Sequence, residues 1–283
     1  MEIKTVNLYE YFKLERKEGF KGYLKCFTKA QPQTYGQDYI YPAMLVLPGG
    51  GYAFVSDREA DPIALRYSVY GFQAFVLDYT VGAVRNYPTQ VQEAAMAMIY
   101  IRENAKIFNI SKDMICAVGF SAGGHLCGCL ANLFDDPVLR GIFGKRADLI
   151  RPDAVILSYP VITSGQKSHA GSFDALCGDD QNLKRYLSLE HRVKGDSSPA
   201  FIWHTYTDKA VPVYNSLVYA LACEKNNVPF ELHVFEKGDH GLATAQLDTN
   251  APKTIAQASA KADQWLDLSV NWLKDRNIKL KSK

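Results

Sequence analysis

The chain carries almost no excess of either charge: 32 Lys and Arg stand against 30 Asp and Glu in 283 residues. A net +2 excludes the basic footprint that nucleic acid or an anionic membrane surface selects, so neither is expected as a partner. No run approaches the roughly 18 apolar residues of a membrane-spanning helix. The opening MEIKTVNLYEYFKLERKEGF mixes acidic and basic side chains without an apolar core segment, so no secretory leader is expected. The six cysteines (26, 116, 127, 129, 177 and 223) include no C-x-x-C pair. This argues for reduced, structural thiols in a cytoplasmic protein and against a disulfide framework. There is no H-E-x-x-H and no Cys/His cluster, so neither a metal nor another cofactor is expected. No repeat and no low-complexity linker divides the chain, and its lysine-rich end, KDRNIKLKSK, reads as a solvated, frayed terminus.

Almost half of the residues are hydrophobic (47%), enough for a sizeable core, and apolar runs alternate with helical patterns. Strands are expected at 21–27, 43–48, 73–79, 114–118, 153–160, 199–207 and 229–236. Helices are expected at 57–71, 87–108, 122–134, 213–227 and 258–276, with Ser56-x-x-Glu59 reading as a capping box. This alternation predicts an α/β protein with a doubly wound, mostly parallel sheet, one domain over 1–283. Ligands in such folds sit beyond the carboxyl ends of the strands. The segment 160–198 breaks the alternation: it is long, polar and weakly periodic, and is expected to cap the site.

A serine stands between glycines in GFSAGG, where an apolar strand gives way to an Ala- and Leu-rich helix. Gly119-x-Ser121-x-Gly123 has the spacing of a nucleophile elbow, and its flanking context is the one that motif needs. A serine nucleophile needs a base, and the base an orienting carboxylate. Of six histidines, His240 in KGDHGLA follows a strand at its carboxyl end, on the edge where Ser121 falls. His125 lies one turn further along the serine's own helix, His204 and His233 lie within strands, and His169 and His191 lie in the irregular segment. Asp208 in TYTDKAVP precedes His240 in the order Ser–Asp–His and also ends a strand; it could serve as a cap as well. Asp239 is the rival carboxylate, better read as a turn residue. The glycines of LPGGGY can aim backbone N–H groups at a developing oxyanion, and Gly50 and Gly51 with Ala122 are the expected donors. A dinucleotide loop would need a third glycine where Phe54 stands.

Together GFSAGGH, PGGGY, TDKAVP and GDHGL, over about residues 40–275, resemble the α/β-hydrolase superfamily, in particular its bacterial esterase/lipase branch of acetylxylan-esterase-like and hormone-sensitive-lipase-like enzymes. In that branch the glycines usually follow a histidine; here Pro48 stands there. The resemblance implies a cofactor-free serine carboxylic ester hydrolase acting on small-molecule esters with short acyl groups, acetylated carbohydrates among them. A formamidase or amidase on the same triad is the alternative, and a binding protein that has lost catalysis is the reading from another class.

Overall fold

The computed structural model describes residues 1–31, 38–82 and 87–282. Nine strands are present among them: β1 (Glu2–Asn7), β2 (Tyr23–Thr28), β3 (Tyr39–Leu47), β4 (Gln73–Asp78), β5 (Ile110–Phe120), β6 (Val155–Ser158), β7 (Ala200–Thr205), β8 (Phe230–Phe235) and β9 (Lys281–Ser282). The sheet runs β1-β2-β4-β3-β5-β6-β7-β8, and β9 pairs with β3. From β4 to β8 every neighbouring pair is parallel. β1 and β2 add an antiparallel edge.

The period of two along each strand divides the core into two layers. Ala43, Leu45 and Leu47 of β3, Ile115 and Ala117 of β5, and Ala200 and Ile202 of β7 face one side. There they meet the helices Thr89–Glu103, Ala122–Asn132 and Tyr214–Lys225. Met44, Val46, Cys116, Val118, Phe201 and Trp203 face the other side, against Asp61–Val69 and Trp265–Asp275. Trp203 stacks on Trp265 with ring centroids 5.1 Å apart. The chain therefore has the doubly wound α/β architecture expected of it, and the carboxyl ends of β3, β5, β6, β7 and β8 share one edge.

Several local expectations are corrected. The strand β1 and the helix Leu8–Phe12 carried no apolar periodicity strong enough to be read. The lysine-rich end does not fray through residue 282: Lys281 pairs with Ile40 and Ser282 with Tyr39. The segment 160–198 holds the helices Ala170–Cys177 and Gln181–Tyr186 and the 3-10 turn Leu189–His191, each too short for its period to emerge. Ser56 makes no capping bond, so the capping box at Glu59 does not form.

Candidate active site

Ser121 occupies a turn so tight that it has φ +54° and ψ −119°, a conformation costing about 1–3 kcal/mol that the surroundings must impose. The glycines explain how it fits. A Cβ on Gly123 would lie 2.1 Å from the Leu47 carbonyl oxygen, and one on Gly119 would lie 2.2 Å from the Gly123 carbonyl oxygen. β5 and the following helix can thus meet β3 only where side chains are absent. The Ser121 N–H donates to the Ser158 carbonyl at 3.0 Å, which ties the elbow to β6.

The loops after β7 and β8 bring in the partners. Ser121 Oγ lies 2.7 Å from His240 Nε2, and His240 Nδ1 lies 2.6 Å from Asp208 Oδ2. A carboxylate can only accept, so Nδ1 carries the proton and Nε2 presents a lone pair to the serine hydroxyl. Asp208 Oδ1 accepts the N–H groups of Ala210 and Val211, each at 3.0 Å. Asp208 thus caps the turn leading to the helix at Tyr214 while facing His240. Burial alone would push the Asp208 carboxyl up; hydrogen bonds from His204 and His240 and the Val211 N–H outweigh it and hold the group well below the usual carboxylate range. The rival Asp239 is exposed.

The remaining histidines have other places. His204 is fully buried behind the carboxylate, its Nε2 2.8 Å from the Val211 carbonyl and 3.3 Å from Asp208 Oδ2. The carbonyl requires Nε2–H, so His204 also faces Asp208 as a donor, a role that its position within a strand did not reveal. His191 and His233 sit beside Glu190 and Glu231. His125 is buried between the Tyr52 hydroxyl and the Leu187 carbonyl, each at 2.8 Å. It joins the helix that follows Ser121 to the 160–198 segment. His169, in that segment, lines a cleft of about 430 Å³ together with Gly50, Gly51, Arg58, Ser121 and His240.

Desolvation lowers the His125 pKa from 6.5 to about 4, against the pull of the Leu187 carbonyl. A base depressed by folding contributes stability above its unfolded pKa and loses it as the pH falls from about 6.5 toward 4. At about 1.4 kcal/mol per pH unit the full loss is about 3 kcal/mol. Thermal unfolding measured from pH 7.5 to 4.5 should therefore fall more steeply for the parent than for His125→Gln. Parallel profiles would show that His125 is not the group being charged.

A strained serine between β5 and a helix, a histidine and an aspartate after later parallel strands, and a glycine loop after β3 define an α/β hydrolase of the esterase/lipase branch. The chain belongs to the BD-FAE family, whose model matches residues 31–221. It is 41% identical to endo-1,4-beta-xylanase B of Butyrivibrio fibrisolvens over 75% of this chain and 34% of that one. It is 28% identical to an acetylxylan esterase of Xylanibacter ruminicola over 82% of this chain and 46% of that one. The chain therefore spans about a third to a half of the length of these relatives. Among solved structures it resembles an acetyl ester-xyloside bifunctional hydrolase of Caldicellulosiruptor lactoaceticus, with TM-score 0.79, 33% identity and coverage of 91% of this chain and 89% of that one. No helix among the described residues is long and apolar enough to cross a membrane.

Proposed function

We propose that the chain is a serine carboxylic ester hydrolase that removes short acyl groups, acetyl above all, from carbohydrates. The observation that carries the chemistry is the unbroken hydrogen-bonded line Ser121–His240–Asp208 opening on the cleft. Ser121 Oγ attacks the ester carbonyl carbon as its proton passes to His240 Nε2. The N–H groups of Gly50, Gly51 and Ala122 receive the oxyanion. His240 then gives the proton to the departing alcohol, leaving an acyl ester on Ser121. A water molecule, deprotonated by His240, attacks that ester; the acid departs and the proton returns to Ser121.

The names of the relatives support the sugar reading, as do the polar side chains Asp57 and Arg58 among those that line the cleft. His169 supports it further. Its Nδ1 accepts from the Ser172 N–H at 3.3 Å and lies 2.8 Å from Ser172 Oγ. Burial lowers its pKa and favours the neutral ring, so the proton sits on Nε2 and is available to a substrate hydroxyl. The segment 160–198 serves as a cap in this reading, supported by its anchors: Asn215 Oδ1 accepts the N–H groups of Ile162 and Thr163, and Leu187 meets His125. A reducing, cytoplasmic setting is supported by six free cysteines, five of them buried.

The test is substrate preference. We expect kcat/KM for p-nitrophenyl acetate to exceed that for the octanoate. We also expect acetate release from acetylated xylo-oligosaccharides, with His169→Ala raising KM for the sugar by about five- to tenfold, the worth of one hydrogen bond, and more than for p-nitrophenyl acetate. A clear octanoate preference, or an equal effect of the His169 change on both substrates, contradicts the sugar reading.

A further inference from the structure

One buried carboxylate beside the site has no part in the reaction above. Glu59 is 3% exposed and ends the 3-10 turn Asp57–Glu59. A buried carboxylate is tolerated only when donors meet its oxygens. Glu59 Oε2 accepts the Gly49 N–H at 2.9 Å, and Oε1 accepts the Tyr159 hydroxyl at 2.7 Å. Each bond leads to a different loop of the active site.

The first leads to the glycines. Gly49 is tied to this turn at both of its polar groups, because its carbonyl also accepts the Ser56 N–H at 3.0 Å. The peptide that carries the Gly49 carbonyl carries the Gly50 N–H on its opposite side, in one plane. Fixing the carbonyl therefore aims the Gly50 N–H. A Cβ at Gly49 would lie 2.7 Å from Glu59 Oε2 and 3.0 Å from Ser121 Cβ, so carboxylate, glycine loop and nucleophile are in mutual contact range.

The second bond leads to the histidine loop. Tyr159, just past β6, accepts the Ala243 N–H on its hydroxyl at 2.8 Å. Its ring meets that of His240 edge-on, with centroids 5.1 Å apart. Burial, followed by the Glu59 charge, raises the Tyr159 pKa well above its ordinary value, which keeps its hydroxyl a donor to Glu59. Arg58, the neighbour of Glu59, holds the same loop by donating to the Gly241 carbonyl at 3.1 Å and the Thr249 carbonyl at 2.9 Å.

We infer that Glu59 is a positioning residue that couples the oxyanion loop to the histidine loop, fixing the Gly50 N–H and the His240 ring relative to each other across Ser121. The inference rests on the assignment of Ser121 as nucleophile and Gly50 as oxyanion donor. It gives Glu59 a job in transition-state geometry, distinct from filling the turn.

The experiment measures kcat and KM for p-nitrophenyl acetate per active site titrated with a fluorophosphonate. Glu59→Gln keeps the volume but replaces one acceptor oxygen with an NH₂ group, so Gly49 N–H and Tyr159 O–H cannot both be satisfied as before. We expect kcat per titrated site to fall about 10- to 100-fold with KM within about threefold, since losing an oxyanion donor outright costs about 10²- to 10³-fold. Tyr159→Phe keeps the Gly49 bond and cuts the link to the histidine loop; about a tenfold fall is expected. The double variant should be within about threefold of Glu59→Gln alone, because both changes cut one network. If Glu59→Gln does not fold, Tyr159→Phe decides alone. Values of kcat per titrated site within threefold of the parent, with losses confined to unfolding temperature, overturn the inference, as do fully multiplicative losses in the double variant. A parent enzyme that does not react with the fluorophosphonate instead refutes the nucleophile assignment, and this inference falls with it.

Discussion

Replacing Ser121 by Ala is expected to lower kcat/KM for p-nitrophenyl acetate by about 10⁴-fold or more while the fold persists. The residue is only 7% exposed, and its Cβ is already accommodated at φ +54°, so alanine inherits the same backbone strain and adds none. His240 loses the hydroxyl it faces, but its side chain is 23% exposed, so water can replace that contact. The thermal unfolding midpoint should therefore stay within a few degrees, about the shift that 1 kcal/mol produces in a chain of this size. Near-parental turnover in a folded variant would reduce Ser121 to a turn residue.

Asp208→Asn should be nearly as damaging, and for a reason that can be followed atom by atom. Oδ1 must go on accepting the N–H groups of Ala210 and Val211. The amide oxygen therefore stays on that side, and the NH₂ group turns toward His240 and toward His204 Nε2–H, which is also a donor. Facing a donor, His240 Nδ1 must become the acceptor, which moves the ring proton to Nε2, where the base should have its lone pair. We expect kcat to fall about 10³- to 10⁴-fold with KM little changed. Asp239→Asn, at an exposed carboxylate, should cost less than about threefold, within the range of a surface change. A larger loss at Asp239 than at Asp208 would show that the wrong carboxylate had been assigned.

What could be read from the sequence was what is local or periodic. Ser121 announces itself through five consecutive residues, and the buried parallel strands through unbroken apolar runs such as AMLVL. The places of His240 and Asp208 were legible because each lies in the loop just after a strand, and chain order did the rest. Glu59 was misread because Ser56-x-x-Glu59 satisfies a local capping rule. One of its two actual partners, Tyr159, lies 100 residues away, where no window of sequence reaches. His204 was placed correctly in a strand, but its contact with Asp208 depends on how the loop after β7 folds back. The strand β1 escaped because an exposed edge strand needs no apolar face: Glu2 to Thr5 are all exposed. The short helices of 160–198 escaped because six or eight residues cannot establish a period of 3.6.

The pairing of the first and last strands in the chain governs where this unit can be joined to others. β1 begins with Glu2 opposite Thr28, and Phe27 lies opposite Ala74 near the start of β4. β9 pairs with Tyr39 and Ile40 at the start of β3. Both ends of the described chain thus leave from the amino edge of the parallel strands, while Ser121, Asp208 and His240 stand on the carboxyl edge. A polypeptide grafted to either end would be tethered behind the sheet, with the mouth of the cleft turned away from it. Fusion there therefore leaves the mouth of the cleft clear.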